Sequence, residues 1–193
     1  MIELTIITAH YNDIENLIKT YKSINSQSYK KWKFFIIDSF TPKITNLIGK
    51  EILNDPRVSL FTLKSSIYDA MNFGILMSSS NYIQILNSGT TYYSKTTLEK
   101  SMNRIEKHHI QNGPMLHLFD TQIMANDKVF FVNKPSRFSN PIRCGHEAII
   151  YPNRYKDKIL HYHKYRIAAD IAFIIDYSDK YNSIYHNLIL INY

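Results

Sequence analysis

Apolar positions along the chain change period repeatedly, from strand-like to helix-like and back. Residues 3–9, ELTIITA, form a short β-branched apolar run that reads as a buried strand. In NDIENLIKTYKSINSQ, which follows, Leu17, Tyr21 and Ile24 fall on one helical stripe, with Asn12 and Glu15 spaced as a capping box. KFFIID gives a second strand ending at Asp38, and SFTPK is turn chemistry around Pro42. Ile44, Leu47, Ile48 and Ile52 predict a helix closed by the NDP turn at 54–56, after which RVSLFTL reads as a third strand. A helix over residues 66–79 leads into NYIQILN, a fourth strand, and SKTTLEKSMNRIEKHH is helical again.

Four such alternations predict an α/β domain with a doubly wound, mostly parallel sheet. Beyond Gly113 the pattern loosens. PMLHLFD and KVFFV read as a strand pair around MAND, and a helix over residues 167–181 follows. No repeat, linker or low-complexity segment divides the 193 residues, so one domain is expected, regular over 1–112 and irregular over 113–193.

Composition narrows the class. No apolar stretch reaches the roughly 20 residues of a membrane helix, and the opening MIELTIITAHYN runs straight into a strand pattern, unlike a secretory signal. A single cysteine, Cys144, excludes an internal disulfide and fits a reducing compartment. The net charge of +7 suits nucleic acid, an anionic membrane or a phosphorylated ligand. The basic residues are dispersed and form no nucleic-acid motif, which argues against the first.

In an open α/β sheet the ligand lies beyond the carboxyl ends of the strands. That rule selects residues 9–12, 38–40, 64–69 and 87–91, all polar loops suited to a nucleotide. Asp38 there is either a base or ribose acceptor or a turn cap. Within SSIYDAMNFGI, Ser66 and Asp69 are spaced as a helix cap, while Asp69 and Asn72 lie three apart on one helical face. The loop closing YIQILNSGT is polar yet carries no carboxylate.

Other chemistries fit poorly. Cys144, His146, His161 and His163 lack zinc-ligand spacing. There is no G-x-S-x-G elbow, no P-loop and no G-x-G-x-x-G.

TIITAHYN, FFIID, SIYDAMNFGI, YIQILNSG, CGHEAII and RIAADIAFIIDY, in that order, resemble the successive motifs of family 2 glycosyltransferases of bacterial surface-polysaccharide assembly. These are GT-A, Rossmann-like enzymes, and the resemblance covers nearly the whole chain. It implies a nucleotide-sugar-binding half over 1–112 and an acceptor and catalytic half over 113–193. Thr8, Ala9, Tyr11, Asp38 and Ser66 would then line the nucleotide pocket, with Asp38 towards the base. Tyr68, Asp69, Asn72, Asn87, Ser88, Gly89 and Thr90 would border the donor sugar and diphosphate. Arg143, His146, Glu147 and Arg166 would serve the acceptor or leaving group.

Asp170 matches the family aspartate taken as general base of an inverting transfer. Its apolar neighbours in AADIAF lead one to expect an upward-shifted pKa. The implied partners are a nucleotide-sugar donor, a UDP-sugar first, and a glycan or lipid-linked acceptor. The implied location is cytoplasmic, with peripheral contact at the inner membrane face.

One departure stands out. Residues 87–90 replace the loop where the family holds Mn²⁺ or Mg²⁺, and Thr90 stands where its last aspartate would be. Three readings remain: a weakly held ion helped by Asp69 or Asp120, cationic substitutes among Arg143, His146, Lys164 and Arg166, or a binding or assembly subunit without turnover. The retained Asp38, YDAMN and Asp170 favour an enzyme with weak or absent metal dependence.

Overall fold

The computed structural model describes residues 2–125, 128–134, 141–154, 160, 165 and 168–193. Strands β1 (Leu4–His10), β2 (Trp32–Asp38), β3 (Val58–Thr62) and β4 (Tyr82–Ile85) run parallel in the order β3-β2-β1-β4. Their apolar runs are continuous because helices cover the sheet, which leaves β4 fully buried and β1 and β2 nearly so. Helix α1 (Ile14–Asn25) buries Leu17, Thr20, Tyr21 and Ile24, the stripe expected from the sequence.

Helix α4 (Ile67–Met77) packs on β1 and β2 at Gly74. A Cβ there would sit 2.5 Å from Ile7 Cγ2 and 3.3 Å from Ile37 Cδ1. Only glycine lets the helix come this close. Helix α5 (Thr97–Asn112) follows the two-residue strand β5 (Thr91–Tyr92).

Two local expectations are corrected. Residues 44–52 form two single turns, α2 (Ile44–Leu47) and α3 (Lys50–Leu53), rather than one helix. Gly49 between them adopts φ 80°, ψ 152°, outside helical space. At α1 the N-cap is Asp13, with no side-chain cap bond. Asn12 has φ 51°, and its backbone N–H donates to Thr41 Oγ1, so the Asn12/Glu15 capping box does not form.

The second half extends the same sheet in mixed sense. Strand β6 (Leu116–Ala125) pairs with β7 (Lys128–Asn133) and β8 (Ile149–Pro152) antiparallel, and with β9 (Ser183–Asn192) parallel. Strand β8 joins β4 through Tyr82↔Pro152 and Ile83↔Tyr151, giving the path β3-β2-β1-β4-β8-β6-β9-β5. The parallel character predicted for the sheet holds through its first four strands and returns in the β6–β9 pair. Helix α6 (Ala169–Lys180) is held to β8 by Tyr151, Phe173 and Tyr177, whose ring centroids lie 4.8–5.0 Å apart. That packing fixes the first turn of α6, which carries Asp170, beside the 3₁₀ turn His146–Ala148 that leads into β8.

Candidate active site

The chain turns from β1 to β2 on one side and to β4 on the other, so the strand order reverses at β1. There, at the carboxyl ends of β1 and β2, a cavity of about 380 Å³ is lined by Ala9, His10, Tyr11, Ser39, Ser65, Ser66, Ile67 and Ala70. Its wall includes the amino end of α4, where the helix dipole favours an anion. Ser66 caps that helix: its Oγ accepts the Asp69 N–H at 3.2 Å and donates to Asp69 Oδ2 at 2.6 Å.

Of the nucleotide residues expected from sequence, Ala9, Tyr11 and Ser66 line this cavity, while Thr8 and Asp38 sit behind it. Thr8 is buried and donates from Oγ1 to the Leu86 carbonyl, tying β1 to β4. Asp38 is also buried, and its two oxygens accept the Thr41 N–H and hydroxyl at 2.8 and 2.6 Å. Of its two readings, the turn cap is the one seen here.

His10 was not singled out by the sequence, yet it connects these parts. Its Nδ1 is 3.4 Å from Ser88 Oγ and its Nε2 is 3.9 Å from Asp38 Oδ1. Burial holds this imidazole below its ordinary pKa, against the pull of Asp38. Tyr68 and Asp69 are partly buried on α4, and Asn72, one turn on, is buried.

The polar loop of residues 87–90 is clamped from two sides. Thr20 of α1 accepts the Gly89 N–H on Oγ1 at 2.9 Å and donates to the Thr90 carbonyl at 3.1 Å. Glu147 Oε1 accepts the Asn87 N–H and the Thr90 hydroxyl, both at 2.7 Å. Gly89 makes the turn at φ +96°, and a Cβ there would come within 3.1 Å of Asn16 Oδ1. Thr90 is therefore an interior residue, 3% exposed, directed at Glu147. Burial pushes the Glu147 carboxyl above its usual range despite these two donors.

A second cavity, about 290 Å³, lies on the far side of this loop. It is lined by Asn87, Thr121, Ile123, Asn133, Gly145, His146, Glu147, Asp170, Ile191 and Tyr193. His146 Nδ1 stands 3.6 Å from Asp170 Oδ2. The expectation of an upward-shifted Asp170 is overturned: the His146 ring beside it, with backbone N–H groups at the start of α6, holds the carboxyl below its ordinary range despite partial burial. Of the other acceptor-side residues, Arg143 is exposed and lies outside this lining, while Arg166 and Lys164 fall outside the described residues.

The loop does not fit a hard divalent ion. Such ions take several carboxylate oxygens, whereas Thr90 is turned to Glu147 and Ser88 faces His10. Asp69 is bonded to the Ser66 cap, and buried Asp120 accepts the Tyr185 hydroxyl at 2.7 Å. Among the described residues, no three His, Cys, Asp or Glu side chains converge to hold a metal. Cys144 is buried with its thiol pushed up to about 12, and His161 and His163 lie outside the described residues.

Residues 5–151 match the family model described as Glycosyl transferase family 2. No curated protein sequence matches the chain. Among solved structures, the 1–349 fragment of S. aureus TarS in complex with UDP aligns with a TM-score of 0.83 at 14% identity, over 99% of this chain and 60% of that one. The same fragment in complex with UDP-GlcNAc gives 0.82 at 14% identity, over 99% and 58%. A further S. aureus TarS structure gives 0.80 at 16% identity, over 98% of this chain and 36% of that one. At these identities the likeness is one of fold, and the chain spans about three fifths of the TarS fragment.

Proposed function

Because the chain belongs to glycosyl transferase family 2 and has the GT-A, Rossmann-like fold, we propose that it transfers a sugar from a nucleotide-diphosphate sugar to a glycan or lipid-linked acceptor. The observation that carries this reading is the loop of residues 87–90 standing between two cavities. Ser88 touches His10 of the first, while Asn87 lines the second. A donor held in the first cavity would present its anomeric carbon across that loop to an acceptor hydroxyl in the second.

The donor we propose is a UDP-sugar, hexosyl or N-acetylhexosaminyl, in keeping with the UDP and UDP-GlcNAc complexes of TarS. Its diphosphate would meet the amino end of α4, and its base would lie towards Ser39 and Asp38. Asp38 reaches a base by exchanging one of its two bonds to Thr41. Tyr68, Asp69 and Asn72 would then border the sugar and diphosphate. Attack from the His146/Asp170 side, opposite the nucleotide, gives inversion. Since the loop lacks a hard-cation donor set, stabilisation of the leaving diphosphate is assigned to the α4 amino end.

A lipid-linked acceptor at the inner face of a membrane suits strand β7. Val129, Phe130 and Phe131 are 55%, 73% and 48% exposed there, between Lys128 and Lys134. Among the described residues no helix is long and apolar enough to cross a membrane.

The turn of Thr90 into the interior favours a second reading, a sugar-nucleotide-binding or assembly subunit without turnover. Incubation with UDP-glucose, UDP-galactose and UDP-GlcNAc, followed by detection of released UDP, separates the two. The enzyme releases UDP from at least one of them, whereas the subunit binds UDP and releases none.

A further inference from the structure

We propose that Phe131, Ile123 and Tyr193 form an acceptor subsite that binds the uncharged sugar next to the one that reacts. The inference rests on the transferase reading above and narrows its acceptor to a glycan of at least two units.

Strand register places the three side chains in one row. Ile123 of β6 stands opposite Phe131 of β7. On its other side the Tyr193 N–H donates to the Gln122 carbonyl at 2.9 Å, and the Met124 N–H donates to the Tyr193 carbonyl at 2.8 Å. Those two bonds set Tyr193 opposite Ile123 in the parallel ladder of β6 and β9. Directly opposed residues point to the same face of a sheet. The next row on that face, two residues along each strand, is Asn133, Thr121 and Ile191.

The whole of this inner row lines the second cavity, and so do Ile123 and Tyr193. The outer row therefore continues the cavity wall across the sheet. Its side chains are open to a ligand: Tyr193 is 60% exposed, Phe131 is 48% exposed, and Ile123 is half-buried. At about 290 Å³ the cavity is at the small end for a ligand site. An acceptor that places its reacting unit beside Asp170 has its next unit over the outer row.

Charge and shape favour a sugar there. Among the described residues, the lining holds the carboxyls of Glu147 and Asp170 and no lysine or arginine. A phosphate beside the reacting unit would meet Asp170 with no such cation to offset it. The two rings stand on paired strands, apolar on their faces and, in Tyr193, polar at the tip. That suits the C–H faces and hydroxyls of a neutral sugar. Val129 and Phe130, nearer the start of β7, are left for the membrane contact proposed above.

The test compares acceptors by length. With the UDP-sugar that the native protein turns over, UDP release is measured on methyl glycosides of glucose, galactose and N-acetylglucosamine. Methyl maltoside, cellobioside, lactoside and chitobioside follow, with the octyl glycosides of the three monosaccharides. At least one disaccharide should have a kcat/KM about tenfold above its terminal monosaccharide, the worth of one or two aromatic contacts. Tyr193→Ala and Phe131→Ala should each cut that advantage about 3- to 10-fold, through the acceptor KM. Tyr193→Phe should keep it.

A fluorine-19 label on the Phe131 ring gives a reading independent of turnover. Its signal should shift on titration with the preferred disaccharide and hold still with the monosaccharide. Octyl monosaccharides as good as the disaccharide would make the row a lipid-chain site and overturn the proposal. So would disaccharides that never exceed their monosaccharides in rate or in signal shift, or an advantage untouched in both alanine variants. A signal that moves only with protein concentration marks a contact between copies and overturns it too. If the native protein neither binds nor releases UDP but the signal shifts with a disaccharide, the transferase reading fails and the row stands as a glycan-binding surface.

Discussion

Glu147 Oε1 accepts two hydrogen bonds at 2.7 Å, from the Asn87 N–H and the Thr90 hydroxyl, and so joins the turn before β8 to the loop after β4. Each partner lies where the sequence-based reading placed a ligand contact, yet they are occupied with one another. Glu147→Ala leaves two donors without an acceptor. It should destabilise the protein by about 3 kcal/mol, in line with the penalty for unsatisfied buried groups. Glu147→Gln keeps an acceptor oxygen and should lose only about 1 kcal/mol. Urea midpoints of the three proteins check the order. Equal midpoints would show that the clamp does not hold the loop.

Helix α4 reaches β1 only because residue 74 has no side chain. In Gly74→Ala the new methyl would lie 2.5 Å from Ile7 Cγ2. The clash should lower stability by about 1–3 kcal/mol, the range for overpacked cores. Gly145→Ala, where a Cβ would meet nothing within 4 Å, is the matched control and should be near neutral. Thermal midpoints of the native protein and the two variants decide it.

Acid should weaken the fold well before the carboxylates titrate. His117 Nδ1 lies 2.9 Å from His186 Nε2 in a buried stack, with His108 alongside. Burial, with the neighbouring histidines, pushes His117 down to about 2, and burial with His108 and Arg104 pushes His186 down to about 4. Both folded-state values lie below that of the unfolded chain, about 6.5. The unfolded state therefore takes up protons first, and stability drops as pH falls below that value.

From pH 6.5 to 5.0 the two together should remove about 2–3 kcal/mol. Buried Asp120 and Glu147 are raised and oppose this trend, but in the window just above the ordinary carboxylate range. Urea midpoints at several pH values give the slope, and His186→Phe should flatten it. A flat native profile above pH 5 would contradict the buried neutral pair.

The regular half of the fold was legible because β1, β2 and β4 are continuous apolar runs and α1 carries a clean stripe. Local conformation was less so. Neither the left-handed Asn12 nor the break at Gly49 interrupts the apolar spacing, so a false capping box and a single helix over 44–52 both fit the letters. Strands β8 and β9 went unread, because their pairing with β4, β6 and β5 is set by distant partners.

The first cavity was half legible. Ala9, Tyr11 and Ser66 lie in the loops chosen by the strand-end rule, but nothing local distinguishes His10 from other strand-end residues. In the second cavity, Thr121, Asn133 and Tyr193 come from β6, β7 and the chain beyond β9, and only topology brings them to His146. Only the direction of the Asp170 pKa shift was misjudged, because its neighbours in sequence are apolar while its neighbour in space is a histidine.

Calorimetric titration of UDP into the protein, once with Mn²⁺ and once with EDTA, addresses the donor site most directly. The account predicts saturable 1:1 binding in both, with affinities within about threefold, because the loop of residues 87–90 has no donor set for a hard cation. Binding seen only with Mn²⁺ would contradict that view of the loop. No binding of UDP in either buffer would contradict the assignment of the cavity between β1, β2 and α4 to the nucleotide.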